Sequence, residues 1–168
     1  MFIDETWAKD NMTRLYGRCR KGQRLIDKVP LARWETTTFV AALRHDGLTA
    51  PMVLDAPING DWFLAYVEQV LVPTLKPGDI VALDNLGSHK SHRVRELIEG
   101  CGASLLYLPK YSPEMNPIEM AFARLKSDLR KAAKRTTEAL WNRIGELCAS
   151  FTPQECANYF KAAGYGSA

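Results

Sequence analysis

Asp79-Ile80-Val81-Ala82-Leu83-Asp84-Asn85 decides the fold: an apolar run entered through a Pro77-Gly78 break and left through two polar side chains. A continuous apolar run this short suits a strand buried on both faces, and such strands belong to parallel sheets covered by helices. A second short run, Ser104 to Leu108, follows a helical stretch from about Lys90 to Cys101 and a break at Gly102. Upstream, Phe63, Tyr66, Val67, Val70 and Leu71 recur at helical spacing within residues 61–75. Before them, Thr36 to Arg44 reads as a strand, His45-Asp46-Gly47 as a hairpin turn, and Leu48 to Asp55 as the antiparallel return. Pro51 marks that return as an edge or irregular strand. Met1 to Thr6 reads as another strand, and short strands are expected near Arg14 to Arg18 and Arg24 to Val29. The remainder is helical, over about Asn116 to Ala133, Thr136 to Ser150 and Thr152 to Ala163. Antiparallel returns followed by strand–helix alternation predict an α/β fold: a mixed sheet flanked by helices, with a helical C-terminal segment. Ligands of such sheets gather beyond the carboxyl ends of the strands, where Asp84 lies.

At 168 residues the chain suits one domain with a sizeable core, and 46% apolar with 24% charged residues is ordinary for a globular protein. No stretch approaches a membrane span or a secretory leader, so a cytoplasmic protein is expected. Cys19, Cys101, Cys148 and Cys156 are widely spread, without a C-x-x-C pair or finger-like spacing to His45, His89 and His92. They read as small buried hydrophobes, not as disulfides or zinc ligands. The net charge of +3 is mild but unevenly spread. Residues 124–135 hold Arg124, Lys126, Arg130, Lys131, Lys134 and Arg135 against Asp128 alone, and residues 9–28 hold seven cations against two acids. Blocks of this kind fit a polyanion partner, although a solvated helix face explains them nearly as well.

Three acids stand out against this background. Asp84 ends a buried strand; Glu119 follows after 34 intervening residues at the start of a helix; Asp4 lies on the first strand. Asp84 and Glu119 each have a plain structural explanation, whereas Asp4, if its strand is central and buried, needs a partner or a metal. Asp84-Asn85-Leu86-Gly87 is a good turn, and Asn116, Pro117 and Glu119 match the Ncap, N1 and N3 positions of a capping box. Glu5 points to the opposite face from Asp4 and reads as a neighbour, although a one-residue shift of the strand start would exchange the two. Together, three carboxylates on rigid elements suit a pair of hard divalent cations, which can assist phosphodiester cleavage when about 4 Å apart. Pro109, Pro113 and Pro117 stiffen the loop that delivers Glu119. Along the following helix Glu119, Ala123, Lys126 and Arg130 form one stripe, while Ile118, Phe122, Leu125 and Leu129 form the adjoining core stripe.

Phe2-Ile3-Asp4-Glu5-Thr6, Asp84-Asn85-Leu86-Gly87-Ser88-His89-Lys90 and Leu108-Pro109-x-Tyr111-Ser112-Pro113-x-x-Asn116-Pro117-Ile118-Glu119 resemble the catalytic core of DDE transposases. The resemblance is to the insertion-sequence 630 group, related to mariner elements, and it extends through Thr152 to Phe160 and Ala163-Gly164-Tyr165. It implies a ribonuclease H-like fold with Asp4, Asp84 and Glu119 as catalytic ligands of two Mg²⁺ or Mn²⁺ ions, and no small-molecule cofactor. It also implies cut-and-paste transposition of DNA, action at transposon ends and TA-containing targets, and a homodimer in the active complex. Asn85, His89, Lys90, Lys126 and Arg130 are the expected contacts to nucleic acid or to metal-bound groups. Relatives usually carry a helix-turn-helix module before this domain, and residues 1–168 read as the catalytic domain alone, opening in mid-strand. Glu114 replaces the Asp frequent in relatives. A catalytically idle remnant and a stand-alone ribonuclease H-like nuclease remain the alternatives at this point.

Overall fold

The computed structural model describes residues 1–30 and 34–166. Five strands form one sheet: β1 (Phe2–Lys9), β2 (Thr36–Leu43), β3 (Leu48–Leu54), β4 (Ile80–Leu83) and β5 (Ser104–Tyr107). Their spatial order is β3-β2-β1-β4-β5, with antiparallel pairing on the β3 side of β1 and parallel pairing on the β4 side. The expected mixed sheet is therefore present, and β1 lies at its centre. Its length exceeds the prediction, because β2 pairs with all eight residues from Phe2 to Lys9.

Helices cover both faces. On one, α3 (Ile118–Ala132), α4 (Thr137–Cys148) and α5 (Pro153–Ala162) bury Phe122, Leu125, Leu129, Leu140 and Ile144 against Phe2, Phe39 and Ala41. On the other, α1 (Gly60–Tyr66) and α2 (His92–Gly100) bury Phe63, Tyr66, Val94 and Ile98 against Ile3, Val40 and Ala42. Alternate residues of β1 and β2 thus serve opposite cores, as the two-residue strand period requires. The chain after α1 widens into a π turn at Val67–Leu71 and tightens into a 3₁₀ turn at Val72–Thr74. Pro73 removes a backbone donor there, which disfavours a regular α-helical ladder.

Pro51 lies on edge strand β3 at a bulge, where Ala50 and Pro51 together face Ala41. Ala50 takes the left-handed conformation (φ 49°), and the buried Tyr66 hydroxyl donates to its carbonyl at 3.0 Å. Residues 13–30 depart from expectation: the strands predicted near Arg14–Arg18 and Arg24–Val29 are absent. Both edges of β1 are already occupied, and Leu15, Tyr16 and Ile26 are exposed, so an alternating pattern there has no core to face. Residues 31–33 of the same unassigned stretch lie outside the described residues. The cysteines are free; Cys156 is buried and Cys101 and Cys148 are half-buried, as a packing role requires, whereas Cys19 is exposed. Among the described residues no helix is long and apolar enough to cross a membrane.

Phe122 holds α3 to the sheet through an edge-on contact with Phe39 at 5.8 Å between ring centroids. Phe122→Ala should cost about 3–5 kcal/mol, the range for a buried aromatic. Urea unfolding should show a lower midpoint with an unchanged slope, which is a change in stability alone.

Candidate active site

Parallel register brings the first two acids together. Phe2 is level with Ala82 and Ile3 with Leu83, so the next step along each strand sets Asp4 beside Asp84. Asp4 projects from the face of β1 covered by α3, whose first turn carries Glu119. All three line one cavity of about 410 Å³, walled also by Asn85, Asn116 and the Pro109–Pro113 loop. Tyr111, at its mouth, has φ 58° and is 98% exposed. A bulky residue in the left-handed region is uncommon and is held there at a cost in strain.

Asp4 is only 8% exposed. Its Oδ1 accepts from the Glu5 amide and its Oδ2 from Asn116 Nδ2, each at 2.8 Å. Burial raises its carboxyl to about 7; the Glu5 amide opposes that rise, and the charges of Glu5, Glu119 and Asp84 add to it. The capping box expected at Asn116 is not formed, because its side chain turns to Asp4 and no side chain caps α3. Glu119 therefore has no capping role.

His89, expected among the nucleic-acid contacts, is fully buried and cannot touch a phosphate from that position. Its Nδ1 lies 2.5 Å from Asp84 Oδ1, and its Nε2 lies 3.3 Å from Glu5 Oε2 at poor hydrogen-bond alignment. Burial lowers the imidazole pKa, but Asp84 and Glu5 outweigh it and hold the group at about 9. The ring sits on a 3₁₀ turn, Gly87–His89, that precedes α2; the helix predicted from Lys90 starts only at His92. Glu5, read as a bystander, faces this ring. Lys90 is exposed, with its ammonium 6.0 Å from the Tyr107 ring centroid.

The basic stretch on α3 divides by role. Arg124 pairs with Glu155 at 2.8 Å and covers the Phe151 ring, Lys131 pairs with Asp128, and Arg135 donates to the Asp10 and Met12 carbonyls. Lys126 and Arg130, on the Glu119 stripe, have no acidic partner within salt-bridge distance among the described residues. Burial lowers the Lys126 pKa, while the fields of Glu119 and Asp4 oppose that shift. Arg130 lines a second hollow with Arg14 and Tyr16, away from the carboxylates.

Among the described residues, no three His, Cys, Asp or Glu side chains close around a single ion as a finished ligand set. Magnesium-type sites need fewer, since they use one or two carboxylates and complete their shell with water and substrate phosphates. Asn85 Oδ1 and Asn116 Oδ1 are buried, lack hydrogen-bond partners and belong to residues that line the cavity. Buried oxygens without a donor are rare, and a bound water or ion is the ordinary way such atoms are satisfied. With the three carboxylates they form an all-oxygen donor set, which fits Mg²⁺ or Mn²⁺ and not a softer metal.

Comparison with curated proteins returns no match. Solved structures do match. The Mos1 transposase paired-end complex with its left transposon end superposes with a TM-score of 0.73 at 18% identity, covering 96% of this chain and 51% of that one. The Mos1 mariner paired-end complex with Mn gives 0.71 at 17%, with coverages of 96% and 51%. The Mos1 catalytic domain with Raltegravir and Mg gives 0.67 at 15%, with coverages of 96% and 76%. This chain thus spans about half the length of the paired-end transposase chains. At such identities the likeness establishes the fold, which is ribonuclease H-like. The family profile of the DDE superfamily endonucleases matches residues 1–141, and the chain belongs to that family.

Proposed function

We propose that residues 1–168 act as one transposase catalytic domain, cutting and joining DNA strands with Asp4, Asp84 and Glu119 as ligands of two Mg²⁺ or Mn²⁺ ions. The observation that carries this is the single cavity shared by the three carboxylates and two partnerless buried amide oxygens. Family membership and the likeness to Mos1 structures holding transposon ends, Mn or Mg support it. When bound, the ions supply a water of lowered pKa and neutralise charge on the phosphate. Asp4, which feels the charge of both other acids, would be held in common with Asp84 and with Glu119 if the ions bind. Asn116 and the Glu5 amide fix its carboxylate, and Asp84 is fixed through Oδ1. Lys126 and Arg130, further along the Glu119 stripe, hold the phosphate backbone, and the exposed Lys90 is a further cation that DNA can meet. No side chain has to bond covalently to DNA, because water and then a 3′-hydroxyl serve as nucleophiles. Pairing of two transposon ends by a homodimer, insertion at TA and action on DNA in the bacterial cytoplasm complete the proposal.

Asp84→Asn retains shape and removes charge, so metal-dependent nicking of plasmid DNA should fall by at least about 100-fold, since losing a ligand should cost no less than losing a partner behind one. Glu119→Gln should fall comparably while the melting temperature in EDTA stays put. Nicking by Glu119→Gln at the wild-type rate would remove Glu119 from the metal site.

Asp4 and His89 give the metal-free protein a definite pH response. A carboxyl raised from 3.8 to about 7 on folding makes stability fall as pH climbs through that window. A histidine raised from 6.5 to about 9 contributes stability that is complete below 6.5 and is lost as pH rises towards 9. Melting in EDTA should therefore decline steadily across both windows. Cations bind the ionised Asp4, so the melting shift produced by millimolar Mn²⁺ should be larger at pH 8 than at pH 5.5. Equal shifts at both values would exclude Asp4 as a ligand.

Binding of the chain to duplex DNA should weaken steeply with salt. Replacing both Lys126 and Arg130 by Ala should make the log–log slope shallower by about 2, since each phosphate contact contributes about 0.9. Gel-shift titrations at several salt concentrations measure this, and an unchanged slope would place the phosphate contacts elsewhere.

A further inference from the structure

The way Asp84 is held has its origin on the far side of the sheet. Both hydrogen bonds to its carboxylate converge on Oδ1: the Leu86 amide at 3.2 Å and His89 Nδ1 at 2.5 Å. Oδ2 has no hydrogen-bond partner among the described residues, and the residue lines the cavity. The imidazole is itself immobilised. Its ring lies against Phe63 at 4.1 Å between centroids, and Glu5 Oε2 stands 3.3 Å from its second nitrogen. Its backbone carbonyl accepts from the Tyr107 hydroxyl at 3.0 Å. Asp4 and Glu5 are successive residues of β1, so they project to opposite faces of the sheet.

We propose that Glu5 and His89 are a positioning pair for Asp84: the Glu5 carboxylate holds the buried imidazole by charge, without a formed hydrogen bond, and the imidazole turns Asp84 so that Oδ2 is presented to the cavity. β1 then serves the site twice, directly through Asp4 and through His89 from the other face. A carboxylate already turned and held binds a cation without first losing its own freedom. Partners behind a ligand typically contribute 10- to 100-fold to metal affinity. The proposal rests on Asp84 being a cation ligand.

The test is a Mn²⁺ titration of the 168-residue chain, read by the electron-paramagnetic-resonance signal of free Mn²⁺, with circular dichroism to confirm folding. His89→Phe keeps an aromatic ring against Phe63 and removes both nitrogens, and should weaken Mn²⁺ binding about 10- to 100-fold. Glu5→Gln should weaken it about 3- to 10-fold alone, a smaller share of that range, and cause no further loss in the His89→Phe background. His89→Asn can still donate to Asp84 and should recover most of the affinity while becoming indifferent to Glu5→Gln. If His89→Phe does not fold, the Glu5→Gln effect in the wild-type and His89→Asn backgrounds decides the matter. Binding by His89→Phe within twofold of wild type would overturn the positioning role and leave the metal site standing. An equal Glu5→Gln loss in every background would overturn it too, since Glu5 would then act on the cation by charge alone. Failure of the wild-type chain to bind millimolar Mn²⁺, with Asp84→Asn indistinguishable from it, would overturn the metal site and this proposal together.

Discussion

The hydrogen bond from Asn116 Nδ2 to Asp4 Oδ2 joins residues 112 positions apart and organises the rest of the site. Asp4 occupies the central strand, where an ionised carboxylate without partners would be untenable. Asn116 supplies one partner, and in doing so ties the start of α3 to the middle of the sheet. The place of Glu119, three residues on, follows from that tie and not from a cap of its own helix. A single buried polar contact thus converts the position of one acid into the position of another. The arrangement holds only while Phe122 and its neighbours keep α3 pressed to β2.

The site is also where the molecule is least at ease. Asp4 is driven towards neutrality by burial and by three neighbouring acids. Two amide oxygens have no donor, and Tyr111 is held in the left-handed region. Elsewhere the polar groups are better matched: Arg44 forms a bidentate pair with Asp79, and the Tyr66 hydroxyl finds the Ala50 carbonyl. Left-handed residues also occur at Ala50 and Ala133, but at this cavity a strained backbone coincides with a buried carboxylate and two unpaired amide oxygens, the combination that a binding surface shows.

Much of this was legible in the sequence. The uninterrupted run Ile80 to Leu83 reads as a buried strand, which holds for Val81 to Leu83 while Ile80 is exposed, and the stripe Ile118, Phe122, Leu125, Leu129 reads as core, which holds throughout. Asp84 and Glu119 announced themselves by standing at element ends. What the sequence concealed depends on long-range pairing. Asn116 looks like a cap because its local neighbours make it one, and only the sheet supplies its competing partner. His89 looks exposed because glycine, serine and lysine surround it, yet the 3₁₀ turn drives its ring beneath β1. Glu5 was assigned correctly to the far face, but nothing local indicates that His89 waits there. The basic residues 9–28 offer little local pattern beyond two short strand candidates, and the sheet has no free edge at β1 to receive them.

The bulge at Ala50 and Pro51 has a bearing on how this protein meets others. An exposed sheet edge offers unpaired amides on which a foreign strand can assemble. On β3 that invitation is withdrawn at mid-strand: Pro51 has no amide hydrogen to offer, and the extra residue twists the edge out of line. The opposite edge, β5, is only four residues long. Neither border favours extension of the sheet from one molecule into the next, so a chain rich in apolar strands is guarded against fibrous self-assembly.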